Sequence, residues 1–164
     1  MAMARAIPDL RVRPARLDDR PYVLAAARRL ADFEPPGWRT REELIEGESR
    51  TLRAFFQAPP EGSALFVAQA GNAPPVGFVF LETLHDYFTR QEHGHIGILA
   101  VASEGEGRGV GGALLRTAED WARARGFRRL TLAVFEGNRH ARAVYEHLGY
   151  APEVLRYVKT LEPS

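Results

Sequence analysis

Five glycines within eight residues stand between an apolar run and a helical pattern. The apolar run covers residues 96–101, the glycines lie between Gly105 and Gly112, and apolar residues recur at helical spacing from Leu114 to Ala122. Glycines let the backbone approach a ligand without Cβ contacts, and the free N–H groups at the start of a helix attract an anion. The stretch therefore predicts a strand, a phosphate-binding loop and a helix.

The charges around these glycines favour binding by the main chain. Glu104 and Glu106 flank the loop, and Arg108 is its only cation in the sequence. Backbone N–H groups must then supply most of the attraction for an anion. This arrangement suits a pyrophosphate.

Length and composition narrow the class of protein. A chain of 164 residues fits one domain, and residues 1–8 are predicted to form a flexible N-terminal tail. The formal net charge of +1 favours neither nucleic acid nor a membrane surface as a partner. The sequence has no cysteine, which excludes disulfides and a cysteine nucleophile. It also lacks an apolar run of roughly 20 residues or a signal-peptide pattern, so we expect a cytoplasmic protein.

Apolar periodicity predicts an α/β chain. A short strand near residue 10 precedes two helices, and Thr40 with Glu43 forms a capping-box pattern at the start of the second. Asn138 is predicted to cap the last helix. Later strands are predicted at residues 64–68, 76–84, 96–101 and 130–135, followed by one or two strands within 150–161. Because a helix separates strands 96–101 and 130–135, they should be parallel neighbours joined by a right-handed crossover.

The glycine loop also satisfies the G-x-G-x-x-G pattern of dinucleotide-binding folds. Its glycines run from Gly107 to Gly112, and Glu136 lies roughly where an acidic residue would meet a ribose. Such a fold, however, begins with its glycine loop and needs several βα units after it. A Walker loop is excluded because no Lys-Ser or Lys-Thr follows the glycines.

Two blocks of residues resemble the GNAT superfamily of acyl-CoA N-acyltransferases, and the order of the predicted elements resembles it over nearly the whole chain. The first block is Leu99-Ala100-Val101 followed by Gly107-Arg108-Gly109-Val110-Gly111-Gly112. It is similar to the family's pyrophosphate loop, (Gln/Arg)-x-x-Gly-x-(Gly/Ala), although Glu106 stands where the family has Gln or Arg. The second block, similar to the family's Asn-x-x-Ala-x-x-x-Tyr-x-x-x-Gly-(Phe/Tyr) helix, is Asn138, Ala141, Tyr145, Gly149 and Tyr150.

The resemblance implies a single N-acetyltransferase domain over residues 1–164. It further implies a mixed central sheet of about six to seven strands, helices on both faces and a parallel strand pair that splays apart. The reaction would transfer an acetyl group from acetyl-CoA to a primary amine by direct attack in a ternary complex, without a metal. The implied cofactor-binding residues are Leu99, Val101, Gly107, Arg108, Gly109, Val110, Gly111, Gly112 and Asn138.

The same resemblance suggests catalytic groups. Tyr145 would protonate the departing thiolate, since a phenol with a pKa near 10 is still protonated at neutral pH. His95 is the first candidate for the base that deprotonates the amine, because its ordinary pKa near 6.5 leaves it largely neutral. Glu92, His93, Asp86, His85 or a water molecule are the alternatives. His93 and His95 lack a third firm ligand at defined spacing, so no metal site is predicted.

The sequence does not identify the amine that accepts the acetyl group. This acceptor would contact residues 33–40 and 85–94, where Glu34, Asp86 and Glu92 favour a cationic amine such as a polyamine, an aminoglycoside or a lysine. A homodimer is also considered, because a second subunit would complete such a site. Two other functions stay open, a non-catalytic acyl-CoA-sensing module and a dinucleotide-binding protein.

Overall fold

The computed structural model describes residues 5–163, which form one five-stranded sheet with helices on both faces. The strands are β1 (Leu10–Pro14), β2 (Ala64–Ala70), β3 (Gly77–His85), β4 (Glu92–Val101) and β5 (Leu130–Leu132). The helices are α1 (Arg20–Ala26), α2 (Arg41–Gln57), α3 (Val110–Ala124) and α4 (Arg139–His147). Short 3₁₀ helices cover Leu17–Asp19, Ala27–Ala31 and Ser103–Gly105.

The strands lie in sequence order across the sheet, from β1 to β5. Strands β1 to β4 are antiparallel to one another, and β2 and β3 form a hairpin. The predicted parallel pair is confirmed, because β5 runs parallel to β4. The pair is short, with Gly94, His95 and Ile96 opposite residues 130–132.

Two apolar cores cover the two faces of the sheet. Phe78 and Phe80 of β3 pack with α1 and α2 on one face, around the fully buried Leu52. Val79 and Leu81 of the same strand pack on the opposite face, against α3. Side chains alternate between the faces of a strand, so the continuous apolar run of β3 follows from burial on both sides.

A β-bulge interrupts the ladder between β3 and β4. Phe80 lies opposite Ile98 and Leu81 lies opposite Ile96, so Gly97 is the extra residue. A bulge changes the side on which the following side chains point. Gly97 and Ile98 consequently both face α1 and α2, while Ile96 faces α3.

The sheet has five strands, so the expectation of six to seven is wrong. Residues 151–163, within which the closing strands were predicted, have no regular secondary structure, and Tyr157 is 87 % exposed. Strand β5 ends at Leu132 instead of continuing to Phe135, which is 36 % exposed. A strand needs neighbouring backbone to pair with. Because β5 lies at the edge of the sheet and has three residues, it provides few backbone groups with which a further strand could pair.

The polar segment 85–94, predicted to contact the acceptor, consists of two strand ends and a short turn. His85 ends β3 and residues 92–94 begin β4, so the connecting turn covers only residues 86–91. Part of the predicted tail, residues 1–8, lies outside the described residues. Within residues 5–163, no helix combines the length and apolar character needed to cross a membrane.

An ion pair between the half-buried Arg13 and the buried Asp19 fixes the start of α1 against the sheet. Arg13 donates two hydrogen bonds to the carboxylate of Asp19, at 2.8 and 3.0 Å, and its Nε donates to Gln69 Oε1 of β2 at 2.9 Å. The backbone N–H of Arg16 donates to the same carboxylate at 2.7 Å. These bonds, with that from Arg13 foremost, hold the pKa of Asp19 below its usual value although burial opposes the shift.

Replacing Asp19 with alanine should lower the free energy of unfolding by about 3 kcal/mol, because Arg13 is left without its buried partner. The pKa of Asp19 is lowered in the folded state, so its contribution is present above a pH of about 4 and is lost as the pH falls through the folded-state pKa. Urea unfolding at several pH values measures both effects. Asp18→Ala is the control, since Asp18 is exposed, and equal losses in the two variants would contradict the prediction.

Candidate functional site

The glycine loop lies between the end of β4 and the first turn of α3. Gly107 and Gly109 have φ angles of +67° and +86°, in the left-handed region that favours glycine. Gly109 is also the N-cap of α3, and a Cβ added there would meet no atom within 4 Å. Among residues 5–163, the N–H groups of Gly107 and Gly109 find no acceptor. Together with the first-turn N–H groups of α3, contributed by Gly111 and Gly112, these donors fit a pyrophosphate.

The side chains around this loop differ from the sequence expectation. The Glu106 carboxylate contacts the guanidinium of Arg29, from the 3₁₀ helix that follows α1. Arg108, predicted as the cation of the loop, donates to the backbone carbonyls of Arg5 at 2.8 Å and Glu104 at 3.2 Å. Val110 is buried, so only its backbone is available to a ligand. Arg29 offsets the charge of Glu106, and no local pattern indicated it because the two residues are 77 positions apart.

A buried hydroxyl lies on the α1 side of the same loop. Tyr22 Oη has no hydrogen-bond partner among the described residues. Burial, together with the negative charge of Glu104, raises the pKa of Tyr22 to about 12. A buried polar atom without a partner is costly, and a polar ligand group beside the loop would supply one. Sequence analysis did not identify Tyr22 as a site residue.

The pairing of β4 with β5 stops before the loop, and we call the unpaired stretch of β4 beside the loop the cleft. Their pairing ends at Ile96 and Leu132, while β4 continues to Val101. Leu99 and Val101 lie in this unpaired part and remain paired to β3 on their other edge. Among the described residues, one backbone edge of β4 is therefore without a paired strand from Gly97 to Val101, where it leads directly to the glycine loop.

Tyr145 lies on α4, on the α3 side of the sheet. It is half-buried against the core there, and burial raises the pKa of its hydroxyl above the usual value. Its ring centroid lies 5.8 Å from that of Tyr150 in an edge arrangement, and Tyr150 Oη donates to Glu119 of α3 at 3.3 Å. Asn138 caps α4, its Oδ1 accepting from the N–H of Ala141 at 3.3 Å. The predicted cofactor residue Asn138 thus has an observed structural function.

His95 lies on the opposite face of β4. A Cβ added at its predecessor Gly94 would point at Trp121 and Ala122 of α3, so alternation directs His95 toward the α1 and α2 side. His95 Nδ1 lies 2.8 Å from Thr131 Oγ1 of β5. Burial first, and then the charge of His93, lower the pKa of His95 below its usual value, which favours the neutral ring needed for a base.

The alternative bases lie at the hairpin end, away from the bulge. Asp86 accepts hydrogen bonds from the N–H groups of Phe88 and Thr89, at 2.9 and 2.8 Å, and so closes the turn. His85 Nε2 lies 3.6 Å from Glu92 Oε1 on the exposed end of the two strands. The structure thus brings these residues together with one another but does not bring them to the end of the cleft.

Two carboxylates on the α1 and α2 side were missed by sequence analysis. Glu82 of β3 lies opposite His95, and Glu48 belongs to α2. Burial raises the pKa of Glu82, and burial together with the charge of Glu82 raises that of Glu48. One signal was present in the sequence, because Glu82 is the one charged residue in the apolar run 76–84.

Two other kinds of site do not match the structure. Within residues 5–163, no group of three or more His, Asp or Glu side chains is arranged to hold a metal ion. The sheet has one parallel strand pair, whereas a dinucleotide-binding fold needs a mostly parallel, doubly wound sheet. The glycine loop is therefore not part of such a fold.

Comparison with known proteins agrees with this geometry. The chain is 30 % identical to an aminoglycoside N(6′)-acetyltransferase type 1 from Stenotrophomonas maltophilia, over 77 % of this chain and 82 % of the relative. Its fold is similar to the crystal structure of a ribosomal-protein-alanine N-acetyltransferase from Brucella melitensis biovar Abortus 2308, with a TM-score of 0.68, 19 % identity and coverage of 93 % and 99 %. It is also similar to an aminoglycoside acetyltransferase from an uncultured soil metagenomic sample, with a TM-score of 0.64, 20 % identity and coverage of 94 % and 97 %.

The family model described as the acetyltransferase (GNAT) family matches residues 24–150. This range includes the cleft between β4 and β5, the glycine loop and α4. The structural relatives below 25 % identity share the fold, and the family match covers most of the chain. The chain therefore belongs to the GNAT family of acetyltransferases, as the resemblance of its glycine loop and its last helix predicted.

Proposed function

We propose that this chain is an N-acetyltransferase that moves an acetyl group from acetyl-CoA to a primary amine by direct attack in a ternary complex. The observation that carries the proposal is the cleft between β4 and β5, which opens beside a glycine loop with unpaired N–H groups. Acetyl-CoA supplies the activated thioester. The residues of this chain bind it, orient the amine and move protons.

The glycine loop would bind the pyrophosphate mainly through its backbone. The N–H groups of Gly107, Gly109, Gly111 and Gly112 are the donors, and the N-terminal end of the α3 dipole adds to the attraction. Arg29 offsets the charge of Glu106, which would otherwise repel the phosphates. Backbone groups between residues 99 and 101 are suited to hydrogen-bond the thioester carbonyl as negative charge develops on it.

Tyr145 and His95 would handle the protons from opposite sides of the cleft. An alkylammonium must lose a proton before its nitrogen can attack. His95 is the proposed base, because its lowered pKa keeps the ring neutral near pH 7. Tyr145 is the proposed acid, because burial keeps its hydroxyl protonated. The proton of Tyr145 would pass to the thiolate as the carbon–sulfur bond breaks.

The acceptor would be an amine of a small molecule or a protein. The relative from Stenotrophomonas maltophilia is named for an aminoglycoside, and this similarity favours aminoglycosides as the first acceptors to test. Thiol release with an aminoglycoside, a polyamine and a lysine peptide compares the three classes. Release with none of them would favour the acyl-CoA-sensing alternative.

Cellular location and assembly belong to the same proposal. A sequence without cysteine is compatible with the expected cytoplasmic location. The C-terminal segment 151–163 exposes large apolar side chains, and such surface favours burial in a homodimer. These side chains are Val154, Leu155, Tyr157, Val158 and Leu161.

Gly109→Ala should weaken CoA binding roughly tenfold or more, because a Cβ at φ +86° strains the loop and enters the proposed pyrophosphate site. Gly126→Ala is a matched control at the other end of α3, where φ is +75° and the space is also open. Both variants should lose about 1 kcal/mol of stability. Calorimetric titration with CoA distinguishes the two variants by their affinities. Equal affinities would contradict the assignment of the glycine loop as the pyrophosphate site.

Activity should decline toward acid pH with an apparent pKa below 6.5, the ordinary value for histidine, because His95 must be neutral to accept a proton. Replacing His93 with glutamine removes the charge that lowers the pKa of His95. The acid limb of kcat/KM should then move to higher pH. A pH profile of thiol release measures the limb, and an unchanged limb in His95→Gln would exclude His95 as the base.

Tyr145→Phe should lower kcat about 100-fold, because the thiolate then leaves without a proton donor. Acetyl-CoA should still raise the melting temperature of this variant, since the ring that packs on α3 remains. Tyr157→Phe is the control, because Tyr157 is exposed. If kcat is the same in Tyr145→Phe and the parent protein, Tyr145 is not the acid.

A further inference from the structure

Three polar residues lie in one row across the α1 and α2 face of the sheet. Glu82 of β3 is opposite His95 of β4, and His95 is opposite Thr131 of β5. Residues in register on neighbouring strands have side chains on the same face at short range. The row crosses the sheet where β4 and β5 are still paired, next to the point at which the cleft opens.

The contacts of Thr131 favour one tautomer of His95. Its Oγ1 lies 2.8 Å from His95 Nδ1 and 3.5 Å from the carbonyl of Gly94. The carbonyl is only an acceptor, so a Thr131 hydroxyl proton directed to it leaves Oγ1 to accept from His95 in the tautomer that carries its proton on Nδ1. This leaves Nε2 as the ring nitrogen with a lone pair.

Gly97 makes room for the carboxylate of Glu82. A Cβ added at Gly97 would lie 2.9 Å from Glu82 Oε2 and 3.0 Å from the ring of Phe80. The carboxylate therefore covers the backbone of the β4 bulge, in the space that a side chain at position 97 would take. It stands one strand away from His95 and immediately before the splayed part of β4.

The charge of Glu82 has no counterion in the described part of the chain. No ion pair within residues 5–163 includes it, and the one recorded effect of its charge is on another acid, because it raises the pKa of Glu48 of α2. Burial alone raises the pKa of Glu82. A half-buried carboxylate without a cation is unfavourable, and a cationic ligand group at this position would stabilise it.

We propose that Glu82 is an acceptor-binding residue, whose carboxylate holds the ammonium group of the amine over Gly97, beside His95. This inference rests on the proposed amine acetylation and adds a specificity to it. The acceptor arrives as a cation, and its N–H bond breaks as His95 Nε2 takes the proton, leaving the electron pair on nitrogen for the attack. Cationic amines are thereby favoured over neutral nucleophiles.

The test measures binding of two probes, tobramycin and spermidine, to the complex of the protein with CoA, which cannot transfer an acetyl group. Glu82→Gln keeps the shape of the side chain and removes its charge. We expect this variant to bind the tighter-binding of the two probes about 10- to 100-fold more weakly, as for the loss of a charged hydrogen bond. Glu46→Gln is the control, because Glu46 is an exposed carboxylate on α2 that pairs with Arg53.

A second variant tests the same geometry without changing a charge. Gly97→Ala places a methyl group where the carboxylate lies, so it should weaken binding of the same probe. Gly47→Ala, on α2, is the control and should leave the binding unchanged. Equal affinities of Glu82→Gln and the parent protein, or no binding of either probe to the parent protein, would overturn the inference. If binding depends on Glu82 but acetyl-CoA releases no thiol, the inference stands and the proposed catalysis fails.

Discussion

The antiparallel ladder between β3 and β4 determines where the groups of the candidate site lie. It joins nine residue pairs, compared with three between β4 and β5. Because β4 is held along one edge by this ladder, its other edge can separate from β5 without loss of the sheet. The rigid side of β4 thus supports the cleft, and the glycine loop begins where β4 ends.

The bulge in this ladder decides toward which face of the sheet the side chains of β4 point. If β4 alternated regularly back from Ile98, His95 would point toward α3 and be covered by the second core. The extra residue, Gly97, reverses the alternation and turns His95 toward α1 and α2. The same residue lacks a side chain, which leaves space for Glu82. One glycine therefore brings together a histidine and a carboxylate that lie 13 residues apart in the sequence.

The negative charges at the glycine loop and on the α1 and α2 face have different surroundings. At the glycine loop, Glu106 is offset by Arg29, so backbone donors can attract an anion. On the α1 and α2 face, Glu82 and Glu48 repel each other in a half-buried region. This distribution of charge supports the proposal of a negatively charged cofactor at the glycine loop and a cationic acceptor on the α1 and α2 face.

The sequence by itself determined the elements, because helix caps and apolar periods are local properties. The capping box at Thr40, the Asn138 cap, the parallel pair and the GNAT family all followed from the printed chain and agree with the structure. The predictions of closing strands and of a longer β5 were wrong, since a strand forms only where neighbouring backbone can pair with it. Only the tertiary structure decided that Glu82, His95 and Thr131 share a row, because strand register and a bulge are set by pairing between distant segments.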